Sequence, residues 1–260
     1  MRPNRTNPLA VTPGPRHPVF HIPHDGRFFP PELMTEVCVP REELLACHRM
    51  MRDQDVRLLV PPFIAGSRVV FPVSRLLCDV ERFIGPEEIM ERYGMGFCYE
   101  RVWDGRRIKR VTERGREAAR RWYDAHHRRM NLLCARHGRV LLFDLHSYHD
   151  AILPPFARRP GRDTPDLCIG TDPRFTPPQL RERVRACFTA AGFTTAENVP
   201  YEGLYVPEDV MDGRCGCDFA GVMLEFHRRA YCGRGGAADP GRIALIRSLI
   251  GQLAEEGARL

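Results

Sequence analysis

The chain has 260 residues, 43% of them hydrophobic, and a formal net charge of +6; that is long enough to bury a core without disulfide or metal staples. No uninterrupted apolar stretch approaches a bilayer span, and the polar, Pro-rich segment from Met1 to Pro18 has no apolar signal core, which argues against membrane and secreted classes and for a cytoplasmic protein. The ten cysteines therefore read as reduced thiols.

Residues 1–18 are expected to form a flexible tail and residues 19–260 a single domain. Its first strand is Val19-Phe20-His21-Ile22, followed by Pro23-His24-Asp25-Gly26, a turn sequence. Pro30-Pro31-Glu32 predicts a helix start, and the apolar spacing from Arg41 to Val60 predicts one helix. Ser67 to Val73 reads as a strand and Tyr93-Gly94-Met95-Gly96-Phe97 as a loop or hairpin. The basic run Gly105 to Arg110 contains Lys109, the chain's one lysine. Without interleaved aromatics it reads as a solvated face rather than a nucleic-acid patch, and its field suits a small anionic substrate.

Glu113 to Ala135 predicts a long helix stopped by Gly138, which feeds the buried strand Val140-Leu141-Leu142-Phe143-Asp144-Leu145-His146-Ser147. Asp166 to Gly170 is a further short strand. Thr176-Pro177-Pro178-Gln179 predicts a helix to about Ala191 with Thr176 as N-cap. Gly221 to Phe226 is a late buried strand, and Asp239-Pro240 starts a final helix toward Glu256. Cys78, Cys134 and Cys168 lie in apolar runs and read as core residues; Cys215-Gly216-Cys217 lacks a second cysteine pair and is a weak metal signal. The alternation predicts an α/β three-layer sandwich, a mixed and mostly parallel sheet flanked by helices.

Polar residues stand where the apolar strands end. His24, His146 and Glu225 are types used by metal-assisted hydrolases, which need three protein ligands and an open position. Asp53 and Asp55 lead as the third ligand, with Asp25 and His21 behind them. Asp144 shares a strand face with His146 and can orient that imidazole. Ser147 lacks the Gly-x-Ser-x-Gly elbow and reads as structural. Arg75 and Arg82 offer planar forks to a carboxylate or an oxyanion, with pairing to Asp79 or Glu81 as the alternative.

Six segments occur in one order: His24-Asp25-Gly26-Arg27 with Pro30; Ser74-Arg75-Leu76-Leu77-Cys78-Asp79-Val80-Glu81-Arg82; Asp144-Leu145-His146-Ser147; Asp166 to Thr171; Asn198 to Gly203; and Leu224-Glu225-Phe226-His227-Arg228 to Tyr231. From about Val19 to Tyr231 the chain resembles the N-formylglutamate amidohydrolase family. The resemblance implies a zinc carboxypeptidase-like (phosphorylase/hydrolase-like) fold and hydrolysis of an N-acyl, including N-formyl, amino acid. It implies one Zn²⁺ per chain, held by His24 and His146 with Asp53 as the acidic ligand, and Glu225 as general base and acid. It further implies Arg82 as carboxylate binder, Arg75 as second anion contact with a share in catalysis, and His127 as a substrate contact. Two positions depart from the pattern: Glu81 stands where such families show Asn, and His227 where they show Asn. A carboxylate at 81 would repel an acidic substrate if it faced the same site as Arg82. A carboxypeptidase-like peptidase or amidase, or a non-catalytic anionic-ligand binder of the same fold, are the rival readings. Each version of the catalytic reading requires the two imidazoles to converge.

Overall fold

The computed structural model describes residues 14–153, 163–233 and 235–260. The first thirteen residues of the segment read as a tail lie outside them. Strand β1 (His17–Ile22) begins within that segment, and just before it the Arg16 backbone N–H donates to the Ala258 carbonyl (2.7 Å).

Helix α1 (Pro31–Met34) is a single turn begun by proline. Helix α2 (Arg41–Met51) is shorter than its apolar spacing predicts: Arg52 is extended, Asp55 is left-handed, and a short 3-10 turn, Val56–Leu59, carries the period onward. The stop has a physical cause, because the Arg228 guanidinium donates to the carbonyls of Met50 (2.8 Å) and Arg52, supplying partners that the end of a helix lacks.

Strand β2 (Ser67–Val70) ends before Pro72, and Val73 pairs only through an isolated bridge with Phe28. Helix α3 (Glu113–His137) is capped by the Thr112 hydroxyl, which accepts from the Gly115 N–H. It ends at Gly138, whose φ of 66° is the left-handed C-cap conformation that glycine adopts freely.

Strand β3 (Arg139–Tyr148) is buried almost throughout, and β4 (Leu167–Gly170) is short. Helix α4 (Pro178–Ala190) has Pro177 rather than Thr176 at its cap position. The Thr176 hydroxyl instead donates to the Gly221 carbonyl (2.8 Å), tying the segment before α4 to the sheet. Strand β5 (Thr195–Glu197) has no apolar run of its own that would predict it. The helix α5 (Glu208–Met211), strand β6 (Asp218–His227) and helix α6 (Pro240–Gly257) complete the chain. The Asp239 carboxylate caps α6 by accepting from the Arg242 N–H.

The sheet order is β2-β1-β3-β6-β4-β5. Neighbours are parallel except β4 and β6, which are antiparallel. Alternation divides each strand between two faces. On one face Phe20, Leu141, Phe143, Leu145, Val222, Leu224 and Phe226 pack with Leu180, Val184 and Phe188 of α4 and with Ile246, Ile250 and Leu253 of α6. Each such buried side chain contributes about 1.5–3 kcal/mol. On the other, Val19, Val140, Leu142 and Phe219 meet Met130 and Cys134 of α3 and Val210 of α5.

That second face changes character along the strands. Its positions nearer the carboxyl ends are His21, Asp144, His146 and Glu225, all buried. The register sets His21 beside Asp144, and His146 beside Glu225. No helix among the described residues is long and apolar enough to cross a membrane.

Lys109 is not on a solvated face. It is 1% exposed, and its ammonium group donates to the Leu77 carbonyl (3.3 Å). All ten cysteines are free thiols, Cys78, Cys134 and Cys168 among the buried ones.

Gly26 follows the strand-end pair His24-Asp25 where the chain presses against the segment after β2. A Cβ there would lie 2.2 Å from the Val73 carbonyl oxygen and 2.7 Å from that of Phe71, both backbone atoms that cannot rotate away. Gly26→Ala is expected to destabilise the protein by about 1–3 kcal/mol or more, read as a lower midpoint in urea denaturation; an unchanged midpoint would contradict this packing.

Candidate metal centre

The carboxyl ends of β1 and β3 and the segment after α2 converge on one point. His24 Nδ1 and His146 Nδ1 are 3.2 Å apart, Asp53 Oδ2 is 3.2 Å from His146 Nδ1, and it lies 3.6 Å from His24 Nδ1. All three residues are buried. Donors about 2.0–2.2 Å from a tetrahedral ion lie roughly 3.4 Å from one another, so these atoms have the spacing of three ligands around one cation. Asp53 is fixed by its own backbone, whose N–H donates to the His24 carbonyl (3.0 Å), and by the Ser147 N–H, which donates to Oδ2 (3.1 Å).

The far side of each imidazole meets a carboxylate. His24 Nε2 is 2.8 Å from Asp79 Oδ1. His146 Nε2 is 3.1 Å from Asp144 Oδ1 and 3.3 Å from Glu81 Oε2. Asp79 holds the Nε2 proton of His24 and leaves its Nδ1 free for a metal, whereas His146 Nε2 lies close to its two carboxylates without a hydrogen bond. Asp79 is itself held by Arg75 Nη2 (2.9 Å), the Tyr99 hydroxyl (2.9 Å) and the Glu81 N–H (3.1 Å).

The other candidates stand elsewhere. Asp25 is buried in ion pairs with Arg52 (2.8 Å) and Arg57 (2.6 Å), and Asp55 pairs with Arg27. His21 bonds Asp144 (2.8 Å) and His126 (2.9 Å). Arg75 is ion-paired to Asp79, with Nη1 3.6 Å from Asp53, so the structural alternative is the one observed for its contacts. Arg82 is looser: its nearest carboxylate, Asp79, is 3.8 Å from Nε, and that Nε is buried without a hydrogen-bond partner. His127 has both ring nitrogens engaged, Nε2 by the Val80 carbonyl (2.9 Å) and Nδ1 by the Tyr205 hydroxyl (3.0 Å). The Ser147 hydroxyl is buried with no hydrogen bond.

Sequence reading missed Asp79 and Tyr99 as parts of this site. In sequence Asp79 reads only as a salt-bridge partner for Arg75 or Arg82, and nothing in the spacing points to His24.

A family model described as N-formylglutamate amidohydrolase matches residues 17–232. The chain belongs to the N-formylglutamate amidohydrolase family. A crystal structure of N-formylglutamate amidohydrolase from Ralstonia eutropha JMP134 superposes with a TM-score of 0.73 at 21% identity, over 95% of this chain and 94% of that one. The structure of a gene product from Agrobacterium tumefaciens gives 0.61 at 20% identity, over 95% and 91%. These likenesses show a shared fold. No curated protein matches the sequence. Family membership makes amide hydrolysis the chemistry to be explained by this N-formylglutamate amidohydrolase relative's own residues.

Electrostatics separate the carboxylates into two kinds. Burial opposes the charged form of Asp53, but hydrogen bonds from His146 and His24 outweigh it and hold the carboxyl well below its usual range. Glu225, buried beside His146, has no hydrogen bond or ion pair among the described residues. Burial therefore dominates and lifts its pKa to about 8, against the weaker pull of His146.

The sign of this shift has a consequence for stability. A carboxyl whose folded pKa is raised keeps its proton in the fold where the unfolded chain has lost it. Its contribution is complete below the unfolded value near 4.5 and is lost as pH rises toward about 8. In chelator-stripped protein, Glu225→Gln should gain stability relative to wild type between pH 5 and pH 8.5, measured by urea midpoints; a pH-independent difference would show that Glu225 ionises normally.

Proposed function

We propose that the chain is a zinc-dependent amidohydrolase of the bacterial cytoplasm, cleaving the amide bond of an N-acyl amino acid, N-formyl among them. The observation that carries this reading is the convergence of His24 Nδ1, His146 Nδ1 and Asp53 Oδ2 at ligand spacing, with Glu225 on the adjacent strand. Two nitrogens and one carboxylate oxygen suit zinc, and three protein donors leave a position open. A divalent ion there would act as a Lewis acid, polarising the amide carbonyl and lowering the pKa of the attacking water.

The protein's own groups do the rest. Glu225, on the strand beside His146, is placed to take a proton from the attacking water and return it to the leaving nitrogen; burial alone holds its carboxyl protonated, and a bound cation would favour the ionised form that a base requires. Asp79 and Asp144 orient the two imidazoles. Arg75 holds Asp79 and faces Asp53, so its part in catalysis is to position the ligand set and to add positive charge where the oxyanion develops. Arg82, with a spare buried Nε and a quarter of its side chain exposed, is the better fork for a substrate carboxylate. His127, neutral because burial lowers its pKa to about 4, lines the same side through Tyr205.

Elemental analysis and a panel of N-formyl and N-acetyl amino acids test the reading. Wild type should hold at least one zinc per chain and turn over a member of the panel. His24→Ala should lose that zinc and the activity together, whereas Glu225→Gln should keep zinc and lose turnover by about 10²–10⁴-fold. Activity that survives complete chelation, or zinc binding indifferent to His24, would overturn it.

Asp79→Asn gives an independent measure of the orienting role. It should weaken zinc by about 10–100-fold in chelator competition, with the circular dichroism spectrum unchanged; full affinity would remove Asp79 from the site.

A further inference from the structure

On the side of His146 away from Asp53, a second set of donors closes into a ring. His21 Nδ1 lies 2.8 Å from Asp144 Oδ1, and Asp144 Oδ1 is 3.1 Å from His146 Nε2. His146 Nε2 is 3.3 Å from Glu81 Oε2, and Glu81 Oε1 is 3.6 Å from His21 Nδ1. Nitrogen-bearing and oxygen-bearing groups alternate around the ring at 2.8 to 3.6 Å, with both oxygens of Glu81 taking part.

Hydrogen bonding alone does not account for these atoms. His21 Nδ1 donates well to Asp144, but His146 Nε2, in a residue only 3% exposed, is buried with no hydrogen-bond partner, as is Glu81 Oε1. Both lie at contact distance from opposite charge and are misaligned for a proton. Buried polar atoms are rarely left so. A cation at the ring's centre gives each of the four groups a partner without requiring a linear N–H···O.

We infer that the chain binds a second divalent cation, held by His21 Nδ1, Asp144, Glu81 and His146 Nε2. The sharing of the His146 ring between two ions rests on the zinc reading of the first centre. Binding displaces the Nε2 proton of His146 to solvent, making that ring a bridging imidazolate, and requires the His21 proton to move from Nδ1 to Nε2, directed at His126 Nε2 at 2.9 Å. With four protein donors this second site is closed, the arrangement of a structural ion, while the first keeps its open position. Two imidazoles and two carboxylates suit zinc, and also cobalt or copper as probes.

The test uses the full-length protein, stripped with chelator and titrated with zinc against a chromophoric competitor, with metal counted after dialysis. Wild type should bind two equivalents; Glu81→Gln and His24→Ala should each bind one, from different sites. One equivalent in wild type that is lost in His24→Ala and kept in Glu81→Gln overturns the second site and leaves the first standing. One equivalent lost in Glu81→Gln and kept in His24→Ala upholds the ring site and removes the first. Copper gives a readout that needs no variant. The electron paramagnetic resonance signal of the first Cu²⁺ equivalent should fall when the second is added, because an imidazolate bridge couples the two spins antiferromagnetically. A signal that instead doubles overturns the bridge.

Discussion

Two imidazole nitrogens held 3.2 Å apart in a buried pocket cannot both direct a proton at the other, and the rest of the site follows from that constraint. The protein fixes the contact from behind. Asp79 on His24 and Asp144 with Glu81 on His146 hold the Nε2 sides, while Asp53 approaches both Nδ1 atoms. For both rings burial opposes charge, yet the surrounding carboxylates outweigh it and raise their affinity for protons. Without a metal the cluster would be a proton trap. With one, the same carboxylates make the nitrogens stronger ligands, and protons compete with the metal as pH falls.

The fold concentrates these groups by a simple device. On β1, β3 and β6 one face stays apolar almost to the end, Ser147 excepted, so α4 and α6 seal it. The opposite face is apolar where α3 and α5 cover it and becomes polar over the last few residues. Because these strands are parallel, their polar ends lie together. The residues that cannot be placed by a strand are placed by its edges: His24 just past β1, and Asp53 where α2 gives way to extended chain. The Asp53 N–H bond to the His24 carbonyl couples the two segments, so the carboxylate from a loop is held by backbone rather than by its side chain alone.

Sequence made some of this legible for definite reasons. The strands at the centre of the sheet are fully buried runs bounded by polar residues, and His146 and Glu225 stand where such runs change character. The helix α3 carries its own start and stop signals in Thr112 and Gly138. What escaped reading lacked a local signal. Val56, Leu59 and Val60 continue the apolar period of α2 beyond its end, so the stop that frees Asp53 is set by Arg228, 176 residues from Arg52. Lys109, within a run of arginines, reads as solvated, yet its stem fills a buried position. Asp79 and Glu81 belong to the site through contacts with His24, His21 and His146, all far away in the chain.

The position of Glu81 also decides a question of charge. A carboxylate next to Arg82 in sequence would weaken a substrate clamp if both side chains faced one ligand. Here Oε1 turns to His21 and Oε2 to His146 and His24, while Arg82 leans toward Asp79 with its Nε unpartnered. The carboxylate thus acts on the imidazoles, and under the proposed function the guanidinium is left to answer an incoming anion. Arg75 is committed to Asp79 and Asp53, and using it as a second clamp would strip two buried carboxylates of their counter-charge. That cost runs to several kcal/mol for a buried pair broken on one side. Under the proposed function, anion recognition at this site would therefore fall to one arginine, and discrimination among N-acyl amino acids would come chiefly from the groups that surround it rather than from a two-arginine grip.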